Sequence, residues 1–300
     1  MTSRGYDRDI AVLSMTLARN SCSSQFMKRL FYALTILLLT SFAPAKAAMT
    51  DWTEVQGGAV RLIASGPLED GHYLAGLEFL MEPGWHTYWR YSGEAGIPPQ
   101  ISLSEQTNIK SWEVLYPVPE RYNDGFSESI VYQDGIVLPI KVTPDDLHQP
   151  AQLTMDVFFG ICKDICVPGD ASLTLELTPD AKTDTLALKL IDRDLSAVPG
   201  NMAPGALKIV STEYSGKAEG NLIIEAELVD DKTPDLFAAG PTGSYIGLPK
   251  LVELNGTKAI WHLSTKGLKS SPDDNVLRLV LTDGNLAIEH LEPIPSDWIN

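Results

Sequence analysis

Cys162 and Cys166 are where chemistry could start. They are two of the three cysteines in the chain, with Lys163, Asp164 and Ile165 between them. Thiols this close have three uses: a structural disulfide, a redox couple, or a pair of ligands for a soft metal such as copper(I). A disulfide usually joins Cα atoms roughly 4.4–6.8 Å apart, a separation that a four-residue step folded into a turn can approach. The loop it would close is very short, and chain-entropy stabilisation is smallest for short loops. Strained or exposed bridges are the more easily reduced ones. Redox use would be thiol–disulfide exchange: a partner's thiolate attacks one sulfur, and the other leaves and later resolves the mixed disulfide. Lys163 favours a thiolate and Asp164 opposes it. The spacing leaves open which sulfur is attacked.

Other chemistries find less support. None of the five histidines, His86 and His148 among them, falls within ten residues of the pair. The zinc pattern of two separate ligand pairs is missing, as is the C-x-x-C spacing of thioredoxin-like proteins. No cofactor and no metal site is expected.

The elements around the pair read as strands. Tyr73, Ala75, Leu77, Phe79 and Met81 alternate with their neighbours at period two. Val60–Ala64, Trp112–Tyr116, Ile136–Val142, Leu153–Phe159 and Leu173–Leu177 are further candidates. Turn signals such as Asn123-Asp124-Gly125 and Pro168-Gly169-Asp170 separate them. Leu153–Phe159 and Leu173–Leu177 flank the cysteines, so the pair is expected at the tip of a hairpin. Asp184 to Leu195 predicts a helix, with Thr183 as N-cap and Leu186, Leu190, Ile191 and Leu195 as its apolar stripe. Pro199-Gly200 and Pro204-Gly205 then break the chain. A second strand series follows: Leu207–Thr212, Asn221–Leu228, Ser244–Ile246, Leu251–Leu254, Lys258–Leu263, Val276–Leu281 and Leu286–His290. Short strands with regular turns predict antiparallel sandwiches.

Met27-Lys28-Arg29, the apolar run Leu30–Phe42 and Ala45-Lys46-Ala47 read as a secretory signal peptide over 1–47, with Met27 as the true start. The run is short of the roughly 20 apolar residues that span a bilayer. Six of the 23 Lys and Arg and two of the 39 Asp and Glu precede residue 48, leaving a net charge of −20 beyond it. Such acidity argues against nucleic acid as a partner, since phosphate affinity comes from Lys and Arg.

Three blocks then carry a resemblance. They are Gly84-Trp85-His86-Thr87-Tyr88-Trp89-Arg90 with Gly93-Glu94-Ala95-Gly96-Ile97-Pro98-Pro99; Tyr116-Pro117-Val118-Pro119-Glu120-Arg121 with Tyr132-Gln133-Asp134-Gly135 and Val137-Leu138-Pro139; and Cys162-Lys163-Asp164-Ile165-Cys166-Val167-Pro168-Gly169. Together they resemble the periplasmic N-terminal domain of DsbD-type thiol:disulfide interchange proteins, in the longer variety found in suppressor-of-copper-sensitivity reductases. The resemblance implies an all-β chain of two immunoglobulin-like β-sandwich domains. The first, 50–178, would be the redox module; 180–205 would be a linker carrying the short helix; 206–296 would be the second sandwich. It implies that Cys162 and Cys166 are catalytic and disulfide-bonded. They would exchange with a membrane-embedded thiol reductase or its thioredoxin-like domain, and with periplasmic disulfide-containing proteins. The membrane and thioredoxin-like modules are absent from the sequence to Asn300, so the reductase is expected to be a separate protein. The family's shielding loop maps by position to Glu120–Phe126, with Tyr122 or Phe126 as the cover. Trp85, Trp89 and His86 are expected to build the scaffold. Two other readings stand beside this one: a binding module whose disulfide only braces a loop, and a copper-handling protein using both thiolates.

Overall fold

The computed structural model describes residues 48–201, 207–216, 219–229 and 233–299. The expected export signal at 1–47, with its start at Met27, lies outside the described residues. No helix among the described residues is long and apolar enough to cross a membrane.

Among the described residues the regular structure is nearly all antiparallel sheet, an all-β, immunoglobulin-like sandwich architecture. One sheet runs in the order β1 (Thr53–Val55), β2 (Gly58–Ala64), β3 (Tyr73–Met81), β9 (Gly135–Thr143), β6 (Ser111–Val114). Its partner runs β11 (Cys166–Leu177), β10 (Ala151–Cys162), β4 (His86–Gly93), β8 (Glu128–Gln133), β7 (Glu120–Asn123). The long β10 is shared on its second side. Gln152–Phe158 pair with β5 (Gln100–Thr107), and the tip residues Ile161 and Cys162 pair with Thr87 and His86 of β4. Phe79 and Phe159 meet edge to face between the sheets, ring centroids 5.1 Å apart. Trp89 is fully buried there.

The second pair of sheets is β12 (Lys208–Tyr214), β13 (Asn221–Glu227), β16 (Lys258–Ser264), β15 (Lys250–Asn255), and β14 (Asp235–Ala239), β17 (Val276–Asp283), β18 (Leu286–Pro293). Trp261 fills its core. The expected strand at Ser244–Ile246 is a loop. Its groups are taken up elsewhere: the Tyr245 amide bonds to Gly267 O, and the Tyr91 hydroxyl donates to Ile246 O.

The helix α1 (Thr185–Leu195) begins one residue later than expected. Asp184, not Thr183, is its N-cap; the carboxylate accepts from the Leu186 and Ala187 amides at 3.0 and 2.9 Å. Its buried face is Ala187, Ile191 and Asp194, while Leu186 is exposed. That face lies on Ile63 and Val137 of the first sheet. Asp194 earns its burial by accepting the Val137 amide at 2.6 Å and pairing with Arg193. A leucine stripe alone does not reveal a buried aspartate anchor.

The two pairs of sheets share one continuous apolar cluster. At its rim Arg121 of β7 shares its Nε–H between both carboxylate oxygens of Asp235 of β14 (3.0 and 2.7 Å), pairs through Nη1 with Glu128, and donates from Nη2 to Leu236 O and Pro249 O. Beside it Trp89 meets Phe237, and Arg90 reaches Glu289 at 3.3 Å. Breaking a fully buried pair costs about 3–5 kcal/mol, and the partial exposure of Arg121 screens part of that. Arg121→Ala is expected to lower unfolding stability in urea by about 2 kcal/mol, with Arg121→Lys recovering little because an ammonium lacks the planar fork. A loss under about 0.5 kcal/mol would mean this clamp contributes only geometry.

Candidate functional site

The cysteines sit where β10 turns into β11. The hairpin ladder is in register from Ala151↔Leu177 to Cys162↔Cys166, twelve pairs. Alternating inward residues Val157, Phe159 and Ile161 fix that register, since a one-residue slip would turn them to solvent. Lys163 to Ile165 form the tip, closed by a Lys163 N–H to Ile165 O bond. Cys162 and Cys166 are disulfide-bonded, with Cα atoms 4.1 Å apart. The two sulfurs differ in access: Cys162 is 2% exposed, while Cys166 is exposed.

Cys162 is covered from the outer face of its sheet. Tyr88 of β4, Val131 of β8 and Cys162 form a small buried cluster, with Tyr122 of β7 packed against it. Tyr88 and Val131 are direct cross-strand neighbours, as are His86 and Cys162. The Tyr88 hydroxyl donates to Cys162 Sγ at 2.8 Å and lies 3.1 Å from Cys166 Sγ. Burial, with the Asp124 carboxylate and Tyr122 adding to it, pushes the Tyr88 phenol up to about 12. The proton therefore stays on oxygen, and the hydroxyl is a permanent donor aimed at both sulfurs. Gly96 explains part of the sequence block around it. Its φ is +110°, and a Cβ there would stand 2.1 Å from the Tyr88 ring. Gly160 likewise leaves room for Ile97, 2.8 Å from its own notional Cβ.

His86 is 4% exposed and stacks between Tyr88 and Tyr122, with ring centroids at 5.4 and 4.5 Å. Burial holds its imidazole below the ordinary value, against a smaller upward pull from Asp124. A histidine far away in sequence is thus beside the disulfide in space. Even so, no group of three or more His, Cys, Asp or Glu side chains gathers as a metal site among the described residues.

The two aromatics mapped to a shielding loop part company. Tyr122 lies over the buried sulfur's cluster, whereas Phe126 points into solvent, 99% exposed. The turn between them is fixed: Asn123 Oδ1 accepts the Gly125 amide, and Asp124 Oδ1 accepts those of Phe126 and Ser127 at 2.8 and 2.7 Å. Those bonds hold the Asp124 carboxyl below the usual carboxylate range. The remaining motif residues build scaffold. Trp85 packs on the core, and Tyr132 Oη donates to Pro117 O at 2.7 Å, joining two segments of the second sequence block. Tyr88 was not singled out from the sequence as a site residue. A tyrosine two positions from His86 on one strand face was the available signal, but only the β4–β10 register brings it to the sulfurs.

Comparison with curated proteins gave no match. Among solved structures, the N-terminal periplasmic domain of ScsB from Proteus mirabilis shares the fold, with a TM-score of 0.64 and 22% identity over 82% of this chain and 98% of that one. The hairpin and all of its covering residues fall within a single stretch that a family model matches. Over residues 55–178 the chain matches the family of the N-terminal domain of the thiol:disulfide interchange protein DsbD.

Proposed function

We propose that Cys162 and Cys166 form a redox-active pair that passes reducing equivalents by thiol–disulfide exchange. In this reading the chain is exported to the periplasm through the segment at 1–47. The redox module at 50–178 is joined through 180–205 to a second module at 206–296. Its electron donor is the dithiol of a membrane-embedded reductase or a thioredoxin-like protein, and its recipients are periplasmic disulfide proteins.

One observation carries the reading: an exposed sulfur is bonded to a buried one, and a tyrosine hydroxyl reaches both. The donor's thiolate attacks Cys166 Sγ in line with the S–S bond. A donor–Cys166 bond forms, and Cys162 leaves as a thiolate that receives the Tyr88 hydrogen bond. The donor's second thiolate then attacks its own sulfur in the mixed disulfide. Cys166 is released as a thiolate, and two electrons have moved to the pair. Running the same steps against a recipient disulfide passes those electrons on. Tyr122 limits approach to Cys162 and so confines attack to Cys166.

Equilibration with glutathione buffers tests this. The pair is expected to titrate between dithiol and disulfide at a potential well above about −300 mV, the region of inert structural bridges. A bridge that stays closed in every glutathione mixture, together with a melting temperature that falls steeply once stronger reductant opens it, would make it a brace.

A further inference from the structure

The outer face of the β10–β11 hairpin does not end at the disulfide. Register puts Cys162 and Cys166 opposite each other, then Gly160 and Pro168, then Phe158 and Asp170, then Asp156 and Ser172. On the other side of β10, Gln100 lies opposite Phe158 and Ser102 opposite Asp156. Near the sulfurs this face is roofed by Tyr88, Tyr122 and Ile97. Below them it is open: Phe158 is 42% exposed on a strand whose other face is core, and Asp156 and Asp170 are exposed on either side of it. These residues line a depression of about 410 Å³. Ile165, at the hairpin tip, is 63% exposed, and Asp164 beside it is exposed too. The one cation of the tip, Lys163, is turned aside toward Pro83 O, 3.4 Å away.

We propose that this strip is the docking track for the exchange partner: the partner lays an extended segment with a basic flank and an apolar side chain beside its reactive cysteine, the apolar group on Phe158 and the cationic ones between Asp156, Asp170 and Asp164. The proposal rests on the reading that the pair exchanges disulfides. If it does, a partner sulfur must come into line at Cys166, and this strip is the surface that continues from Cys166 along β11. Asp170 lies four residues along the strand, roughly 13 Å away at about 3.3 Å per residue. That exceeds the Debye length of about 10 Å at 0.1 M salt but lies well within the roughly 30 Å at 0.01 M, so its charge is felt at the sulfur at low ionic strength. A lone phenylalanine between two carboxylates on an otherwise polar sheet face suits a segment that pairs leucine-like bulk with lysine or arginine.

The test uses the reduced protein and two symmetrical peptide disulfides, identical except that lysines or glutamates flank a Cys-Leu core. Cys166 thiolate attacks one peptide sulfur and releases the first peptide thiolate. Cys162 thiolate then attacks Cys166 Sγ, releases the second, and closes the bridge, so the protein loses the two electrons the peptide disulfide gains. Rates are read by acid quench and mass spectrometry, with glutathione disulfide as the probe of the exchange chemistry alone. The basic peptide is expected to react faster than the acidic one, on the order of tenfold at low salt, with the ratio collapsing in 1 M salt. Asp156→Asn with Asp170→Asn is expected to remove most of that preference. Glu213→Gln with Glu253→Gln, which changes the net charge equally on the exposed faces of β12 and β15, leaves it in place. Phe158→Ala is expected to slow both peptides. Equal peptide rates, or a preference that the remote pair removes as well as the local pair, would overturn the docking track, while the glutathione-buffer titration above decides the exchange reading independently. A protein inert to all three disulfides would overturn both.

Discussion

A Cys162→Ala variant will hold partners covalently through Cys166, and a Cys166→Ala variant will not. In the proposed exchange the exposed sulfur is the one a partner reaches, and the buried one resolves the mixed disulfide. Removing the resolving thiol leaves the intermolecular bond with no internal nucleophile to break it. Removing Cys166 leaves a thiol under Tyr88 and Tyr122 that a protein-sized partner cannot approach. The expected asymmetry in captured adducts from a periplasmic extract, resolved by non-reducing electrophoresis, is tenfold or more by the same logic of access. Equal capture by the two variants would show that burial does not govern attack. A reversal would assign the roles the other way round.

Tyr88→Phe will raise the Cys162 thiol pKa and make the bridge harder to reduce. The hydroxyl sits 2.8 Å from Cys162 Sγ. A sulfur accepts that bond weakly within a disulfide and strongly as an anion, because bonds to charged acceptors are roughly twice as strong as neutral ones. Losing a bond to a charged group costs about 1.5–3 kcal/mol, which is about 1–2 pKa units. Since stabilisation of the reduced form raises the potential, its loss lowers it by roughly 30–60 mV where Cys162 is ionised. The thiolate absorbance of Cys162 followed against pH in a Cys166→Ala background, and glutathione titration of the intact pair, read the two shifts. The sign is fixed by the phenol's own raised pKa, which keeps it a donor over the working range. If the variant keeps its thermal stability and neither quantity moves, Tyr88 only fills space.

The hairpin was legible because its flanks obey simple rules. Leu153–Phe159 and Leu173–Leu177 have apolar residues at alternate positions, and a turn signal lies nearby. The strands next to it were not. All of β4 but Arg90 is buried on both faces, so no alternation marks it, and β5 is polar nearly throughout. The site suffers from the same cause. Its covering residues come from β4, β7 and β8, far from Cys162 along the chain, and only strand pairing collects them. Resemblance offered two aromatics in one loop; Tyr122 packs against the buried sulfur's cluster and Phe126 does not. The Arg121 clamp carries no signal in the sequence, because Asp235, Leu236 and Pro249, which accept from it across the two pairs of sheets, lie more than a hundred residues away.

The ladder of twelve matched pairs beneath the disulfide sets how the opened pair behaves. Backbone bonding, not the sulfur bridge, holds the two strands together, so the parted thiols remain neighbours at very high effective molarity. Closure onto Cys166 is then a short local motion, and any partner joined there is expelled soon after it attaches. In the proposed exchange such a pair would favour brief encounters: throughput would depend on how often partners arrive, and a crowded compartment would not clog it with lingering covalent pairs.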